Sequence, residues 1–164
     1  MRAVGPELLA WVLDHHAAAL VLFARQWCRS AEDAVQDALV ELARQPMAPD
    51  DLLPWLYRVT RNKAISAGRG EQRRRRHESA SAADRPGWFT SSCEAALDGE
   101  AAAAALESLE PAEREVVVAH LWGGLTFAQI GRLMDISDST AHRRYAAALA
   151  ALRERLGKSC NRNP

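Results

Sequence analysis

The residues best suited to chemistry sit close together late in the chain: Ser139, Thr140, His142, Arg143 and Arg144. Hydroxyl groups at this spacing bond phosphate oxygens or either base type, arginines reach guanine or phosphate, and histidine reads base edges more weakly. A second polar and cationic set, Arg58, Arg61, Asn62 and Lys63, runs on into Arg69, Arg73, Arg74, Arg75 and Arg76, with only Glu71 opposing it. Trp55 and Tyr57 precede that set, and aromatic faces among guanidinium groups suit unstacked bases, although both rings would serve equally well as core. A third set is acidic. Asp33, Asp37 and Glu41 recur at i, i+4 with Gln36 beside them, a row that either faces water or docks a basic partner helix.

No nucleophile with a base signature, no phosphate-cradling glycine loop and no metal-ligand spacing occurs. His15 and His16 point about 100° apart on a helix and cannot readily share a metal. The expected inventory therefore has no catalytic residue, no metal, no cofactor and no small-molecule substrate.

Placing the late cluster requires two short helices and a tight corner. Thr126 with Gln129 forms a capping box for the first, whose Phe127, Ile130, Leu133 and Met134 share one face. Asp135, Ile136 and Ser137 make the corner: Ser137 caps the second helix, Asp138 sits near the positive end of its dipole, and Ile136 plugs the corner from inside. Ala141, Tyr145, Leu149 and Leu152 then turn inward, leaving the cluster outside. This is helix-turn-helix geometry, although short capped helix pairs also occur in ordinary helical bundles.

The 164-residue chain has zero formal net charge, so any affinity for nucleic acid must come from these local clusters. An aromatic share of 6% is thin for one large core, and abundant alanine favours small helical bundles. Cys28, Cys93 and Cys160 are odd in number and lack paired spacing, as in a reducing compartment. The apolar start is interrupted by Asp14, His15 and His16, no cleavage site follows a basic leader, and no unbroken apolar stretch reaches bilayer length. A soluble, cytoplasmic protein without membrane insertion is expected.

In chain order, a helix is predicted from Pro6 to about Arg29. A capping box at Ser30 to Asp33 opens another to about Gln45. After a loop from Pro46 to Asp51, a helix from Leu52 carries the cationic set, weakened at Gly68 and Gly70 so that the arginine run lies on a frayed extension. Residues 78–100 lose periodicity and read as a linker, with Trp88 and Phe89 too apolar for an idle tether. A short alanine-rich helix and a helix from Pro111 to a stop at Gly123-Gly124 bed the helix-turn-helix, and the tail after Arg155 frays. The expected fold is all-α: two small helical domains, residues 1–77 and 101–157, joined by a flexible linker at 78–100 and followed by a tail at 158–164.

This order of parts resembles the sigma-70 family of bacterial transcription initiation factors, in its two-domain extracytoplasmic-function group. Three stretches carry the likeness: AEDAVQDA from Ala31, WLYRVTRN from Trp55, and LEPAEREV from Leu109 with the Gly-Leu-Thr and IGRLMDIS that follow. The resemblance implies that Asp33, Gln36 and Asp37, with Glu41 continuing their row, bind the clamp of core RNA polymerase. It implies that Arg58, Arg61, Asn62 and Lys63 serve the −10 promoter element, that Ser139, Thr140, His142, Arg143 and Arg144 serve the −35 element, and that an anti-sigma factor is a possible further partner. The sequence departs from the family pattern where the Pro46 to Asp51 loop is short and acidic, and where Ser139 and His142 replace the glycine and basic residue often found there. A stand-alone helix-turn-helix regulator and a protein-only polymerase adaptor are the alternatives.

Overall fold

The computed structural model describes residues 3–77 and 103–160, and every regular element among them is a helix. They are α1 (Pro6–Ala24), α2 (Ala31–Ala43), α3 (Leu52–His77), a short α4 at residues 103–107, α5 (Pro111–Leu121), α6 (Phe127–Met134) and α7 (Asp138–Cys160). The expected linker at 78–100, with Trp88 and Phe89, lies outside the described residues.

The first three helices pack as one bundle around Leu20 and Phe23 of α1, Ala38 and Leu42 of α2, and Leu56, Tyr57 and Ala64 of α3, all fully enclosed. Phe23 is the hub: its ring meets Trp27 at 4.9 Å and Tyr57 at 4.8 Å, both edge to face. Such pairs add about 0.5–1.5 kcal/mol to the burial of the rings themselves. Contrary to the sequence expectation, α1 is long and apolar enough by composition to cross a membrane. Its Leu8, Val12, Leu20 and Phe23 are instead buried in a helix packed against α2 and α3.

The end of α1 and the capping of α2 both differ from expectation. α1 ends at Ala24 rather than near Arg29, and its last amides tighten into i, i+3 bonds from Gln26 to Phe23 and from Trp27 to Ala24. Ser30 forms no cap with its own side chain. The carboxylate of Glu71, from α3, reaches across instead and accepts from the Arg29 amide, the Ser30 amide and the Ser30 hydroxyl at 3.0–3.2 Å. That reach requires α3 to continue past Gly68, and it does: the helix is unbroken to His77, not frayed at the glycines. A Cβ at Gly68 would fall 2.1 Å from the Trp27 carbonyl oxygen, so glycine there lets α3 touch the α1–α2 turn.

The second bundle encloses Leu106 near its start, Val116 to Ala119 of α5, Ile130 and Leu133 of α6, and Ala141 and Ala148 of α7. The Arg114 guanidinium stitches α4 to α5 by donating to the carbonyls of Leu106, Glu107 and Leu109. Thr126 and Gln129 form the expected capping box. The corner after α6 turns through Asp135 in the left-handed region, φ 56°, which aspartate tolerates better than most residues. Ser137 accepts from the Thr140 amide at 3.1 Å and caps α7, which continues to Cys160 beyond the expected end near Arg155. Four rings then bind α5, α6 and α7 together: Phe127 stacks on His120 at 4.5 Å, meets His142 edge-on at 5.0 Å, and lies 5.4 Å from Tyr145. His120 is fixed in turn by its Nδ1, 2.7 Å from the Leu125 carbonyl oxygen that accepts from it.

Partial burial alone would raise the Glu71 pKa, but the bonds from Arg29 and Ser30 and the charge of Arg75 outweigh it and hold the carboxyl below its ordinary value. A depressed carboxylate stabilises the fold above its ordinary pKa, and that contribution is lost as pH falls through the folded value. Glu71→Ala should therefore cost about 1–2 kcal/mol at neutral pH, as loss of a helix N-cap does, and the gap to wild type in urea titrations should shrink below pH 4.5. Phe127→Ala, which removes the common partner of three rings, should lower stability by about 2–3 kcal/mol in the same titrations.

Candidate nucleic-acid interface

The acidic row forms because α2 buries Ala31, Ala34, Val35, Ala38 and Leu42, which rotates Asp33, Gln36 and Asp37 into water. Glu41 stands apart from them. It is half-buried and pairs with Lys63 Nζ of α3 at 2.7 Å. One member of the acidic set and one of the cationic set thus neutralise each other within the first bundle.

On α3 the burial of Leu56, Tyr57, Val59, Thr60 and Ala64 sets the outward face. Arg58 and Asn62 are exposed, and Arg61 and Lys63 are partly so. The residues that precede the set belong more to the core than to a strand-separating surface. Tyr57 is fully enclosed, with burial pushing its phenol pKa up, and Trp55 is half-buried against the core. The hydroxyls of Tyr57 and Thr60 are enclosed with no hydrogen-bond partner. Arg73, Arg74, Arg75 and Arg76 are exposed on the last turns of α3. Near them an open cleft of about 850 Å³ is lined by Arg25, Arg29, Arg69 and Arg75 together with Glu71 and Glu107.

The Arg61 guanidinium lies 5.6 Å over the Trp27 ring and donates to Glu115 of α5, with Nε 2.6 Å from one carboxylate oxygen and Nη2 3.5 Å from the other. Glu115 is only 5% exposed. Burial pushes its carboxyl up, and the Arg61 bond, with the charges of Arg61 and Arg144, pulls it back only in part. Arg58 donates to the Arg132 carbonyl of α6 at 3.4 Å, and Arg132 pairs with Asp51 at 3.2 Å. Sequence reasoning missed Glu115. The available signal was one carboxylate leading the apolar run Val116 to Ala119, at a position the helical period buries.

The third set emerges at the start of α7. Ser139, His142 and Arg143 are exposed, while Thr140 and Arg144 are partly covered. The Ser137 hydroxyl lies 3.0 Å from that of Ser139 and 2.8 Å from that of Thr140, and the His142 ring is set edge-on against Phe127, so this face is held in shape. The five residues lie within the first turns of α7, on a different helix from the α3 set and from the acidic row. Among the described residues, no group of three or more His, Cys, Asp or Glu is placed to hold a metal ion.

Residues 12–74 match the model of sigma-70 region 2, and residues 105–154 match that of sigma-70 region 4. The chain is 30% identical over 159 residues to the ECF RNA polymerase sigma factor SigL of Mycobacterium tuberculosis, an alignment spanning 92% of this chain and 90% of that one. Among solved structures, the sigma factor RpoE in complex with the anti-sigma factor NepR from Bartonella quintana superimposes with a TM-score of 0.66 at 22% identity, over 93% of this chain and 98% of that one. CnrH in complex with the cytosolic domain of CnrY superimposes with a TM-score of 0.61, also at 22% identity, over 94% and 90%. A region 2 bundle followed by a region 4 helix-turn-helix, with a relative of this identity along nearly the whole length, places the chain in the extracytoplasmic-function group of the sigma-70 family, whose members bind core RNA polymerase and promoter DNA to direct transcription initiation.

Proposed function

We propose that this sigma factor engages the clamp of core RNA polymerase through Asp33, Gln36 and Asp37. In the same reading Arg58, Arg61, Asn62 and Lys63 meet the −10 element, and Ser139, Thr140, His142, Arg143 and Arg144 meet the −35 element. Residues 1–77 act as the polymerase and −10 module, residues 101–157 as the −35 module, and 78–100 as the tether between them. The factor works in the cytoplasm as a non-catalytic specificity subunit, with a protein of the anti-sigma type as a possible further partner.

The observation that carries this reading is the segregation of charge by helix. An exposed acidic row on α2 suits a basic protein surface, while exposed arginine and hydroxyl groups at the start of α7 suit a major groove. Each DNA surface is small, so each alone binds weakly. Affinity rises when polymerase holds both modules at promoter spacing, because the second contact then becomes intramolecular. Glu41 contributes less to the polymerase surface than its sequence row implies, since its charge is already engaged by Lys63.

Reversing the row with Asp33→Lys and Asp37→Lys together should abolish co-purification with core polymerase while leaving circular dichroism unchanged; undiminished co-purification would refute the assignment. Arg143→Ala should keep polymerase binding but lower run-off transcription from a cognate promoter by about tenfold, the loss of one good base or phosphate contact.

A further inference from the structure

The open cleft beside the last turns of α3 belongs to none of the surfaces assigned above: no residue given to polymerase, the −10 element or the −35 element lines it. At about 850 Å³ it is of the size that small-molecule ligands occupy. Its walls come from the α1–α2 turn, α3 and the α4–α5 stretch, and they set five arginines against two glutamates, Glu71 and Glu107. The Glu71 carboxylate is already engaged by the amides of Arg29 and Ser30 and by the Ser30 hydroxyl, with the charge of Arg75 beside it. Arg114 is held in position by the carbonyls of Leu106, Glu107 and Leu109, and Arg25 by Glu32 at 2.7 Å. The guanidinium groups of Arg29 and Arg69 are exposed and have no side-chain partner among the described residues.

A second recess, of about 460 Å³, shares Arg69 and Gln72 with the first and adds Ser66 and Arg73. Arg69 and Arg73 stand four residues apart on α3, about 6 Å along its axis, so the cations form a track rather than a point. Surfaces that hold single-stranded nucleic acid pair their cations with open aromatic faces. The aromatic ring on this lining is that of Trp27, which already carries the Arg61 guanidinium at 5.6 Å and meets Phe23 edge to face. A ring occupied in this way is a poor platform for a base, and what the cleft offers is charge.

We propose that the cleft binds a linear oligophosphate, free or as the tail of a nucleotide, gripped between Arg29, Arg69 and Arg114 and running toward Arg73. Guanidinium forks match phosphoryl oxygens two at a time, and a rigidly held fork such as that of Arg114 loses little freedom in doing so. A phosphate chain concentrates several charges over a short length, which suits cations converging from three elements. A single orthophosphate reaches only some of them. The ligand is a small molecule, distinct from promoter and protein partners, and it gives the factor a means of responding to a phosphorylated metabolite.

The test is isothermal titration of the full-length chain in metal-free, low-salt buffer with sodium tripolyphosphate, orthophosphate, ATP and a single-stranded oligonucleotide of mixed sequence. One tripolyphosphate should bind per chain, at least about tenfold more tightly than orthophosphate, and should raise the Tm. Arg29→Ala with Arg69→Ala should weaken it about 100-fold, roughly tenfold for each charge-assisted contact, and should abolish the rise in Tm. Arg74→Ala with Arg76→Ala removes the same charge from α3 at positions that line neither recess, and should leave affinity within about twofold. ATP binding as tightly as tripolyphosphate would place nucleotides among the ligands, and much weaker ATP binding would restrict the site to inorganic chains. Equal losses in the two double variants would reduce the effect to diffuse attraction and overturn the site, as would tripolyphosphate binding no better than orthophosphate. An oligonucleotide that needs Arg29 and Arg69 where tripolyphosphate does not bind would make the cleft a nucleic-acid surface and overturn it too.

Discussion

The helix α3 has to satisfy three different neighbours along its 26 residues, and the rest of the structure depends on that constraint. Its inner face completes the first bundle, where Tyr57 meets Phe23 and Ala64 leaves room for close packing. Its far end supplies Glu71, which satisfies amides at the start of α2 that no local side chain reaches. Its outer face carries cations whose partners come from α2, α5 and α6. A helix under these demands cannot be rotated or shortened without breaking at least one of them. That explains why it runs through two glycines that would weaken an isolated helix by about 1 kcal/mol each.

Zero net charge gives the chain no long-range pull toward nucleic acid, and the structure distributes its charge so that local fields do the work. The acidic row lies on a helix that turns Ala31, Ala34 and Ala38 inward, and the arginine run lies on the exposed last turns of α3. A sigma factor benefits from this division. It must hold a large protein partner firmly and DNA only conditionally, so strong free-standing DNA affinity would place it on promoters without the enzyme. Within the chain Lys63 pairs with Glu41 at a partly exposed position, where such a pair is weak, whereas Arg61 pairs with the buried Glu115.

The helix-turn-helix unit meets a different requirement, rigidity. The capping box at Thr126, the left-handed Asp135 and the Ser137 cap fix the corner through backbone hydrogen bonds. The ring cluster about Phe127 fixes the angle between α5, α6 and α7 through shape. A base-reading surface needs both, because a hydrogen bond to a base edge discriminates only when the donor is held in place.

Much of this was written in local sequence. The all-α class, the helix-turn-helix, its caps, the inward faces of α2 and α6 and the outward placement of Asp33, Asp37 and Arg143 all follow from side-chain period and capping chemistry, which act within a few residues. What escaped that reading acts between residues distant in sequence. Glu71 caps a helix about forty residues away, and Gly68 is small because a carbonyl of another turn lies against it. Tyr57 was ambiguous between core and surface until α1 supplied Phe23. Glu115 gained a role only when Arg61 was brought to it across the seam between bundles. Period and caps are local, one-dimensional properties of a chain, and the sequence by itself determined what they control. Which buried charge meets which cation depends on how two amphipathic bundles dock, and only the tertiary structure decided that.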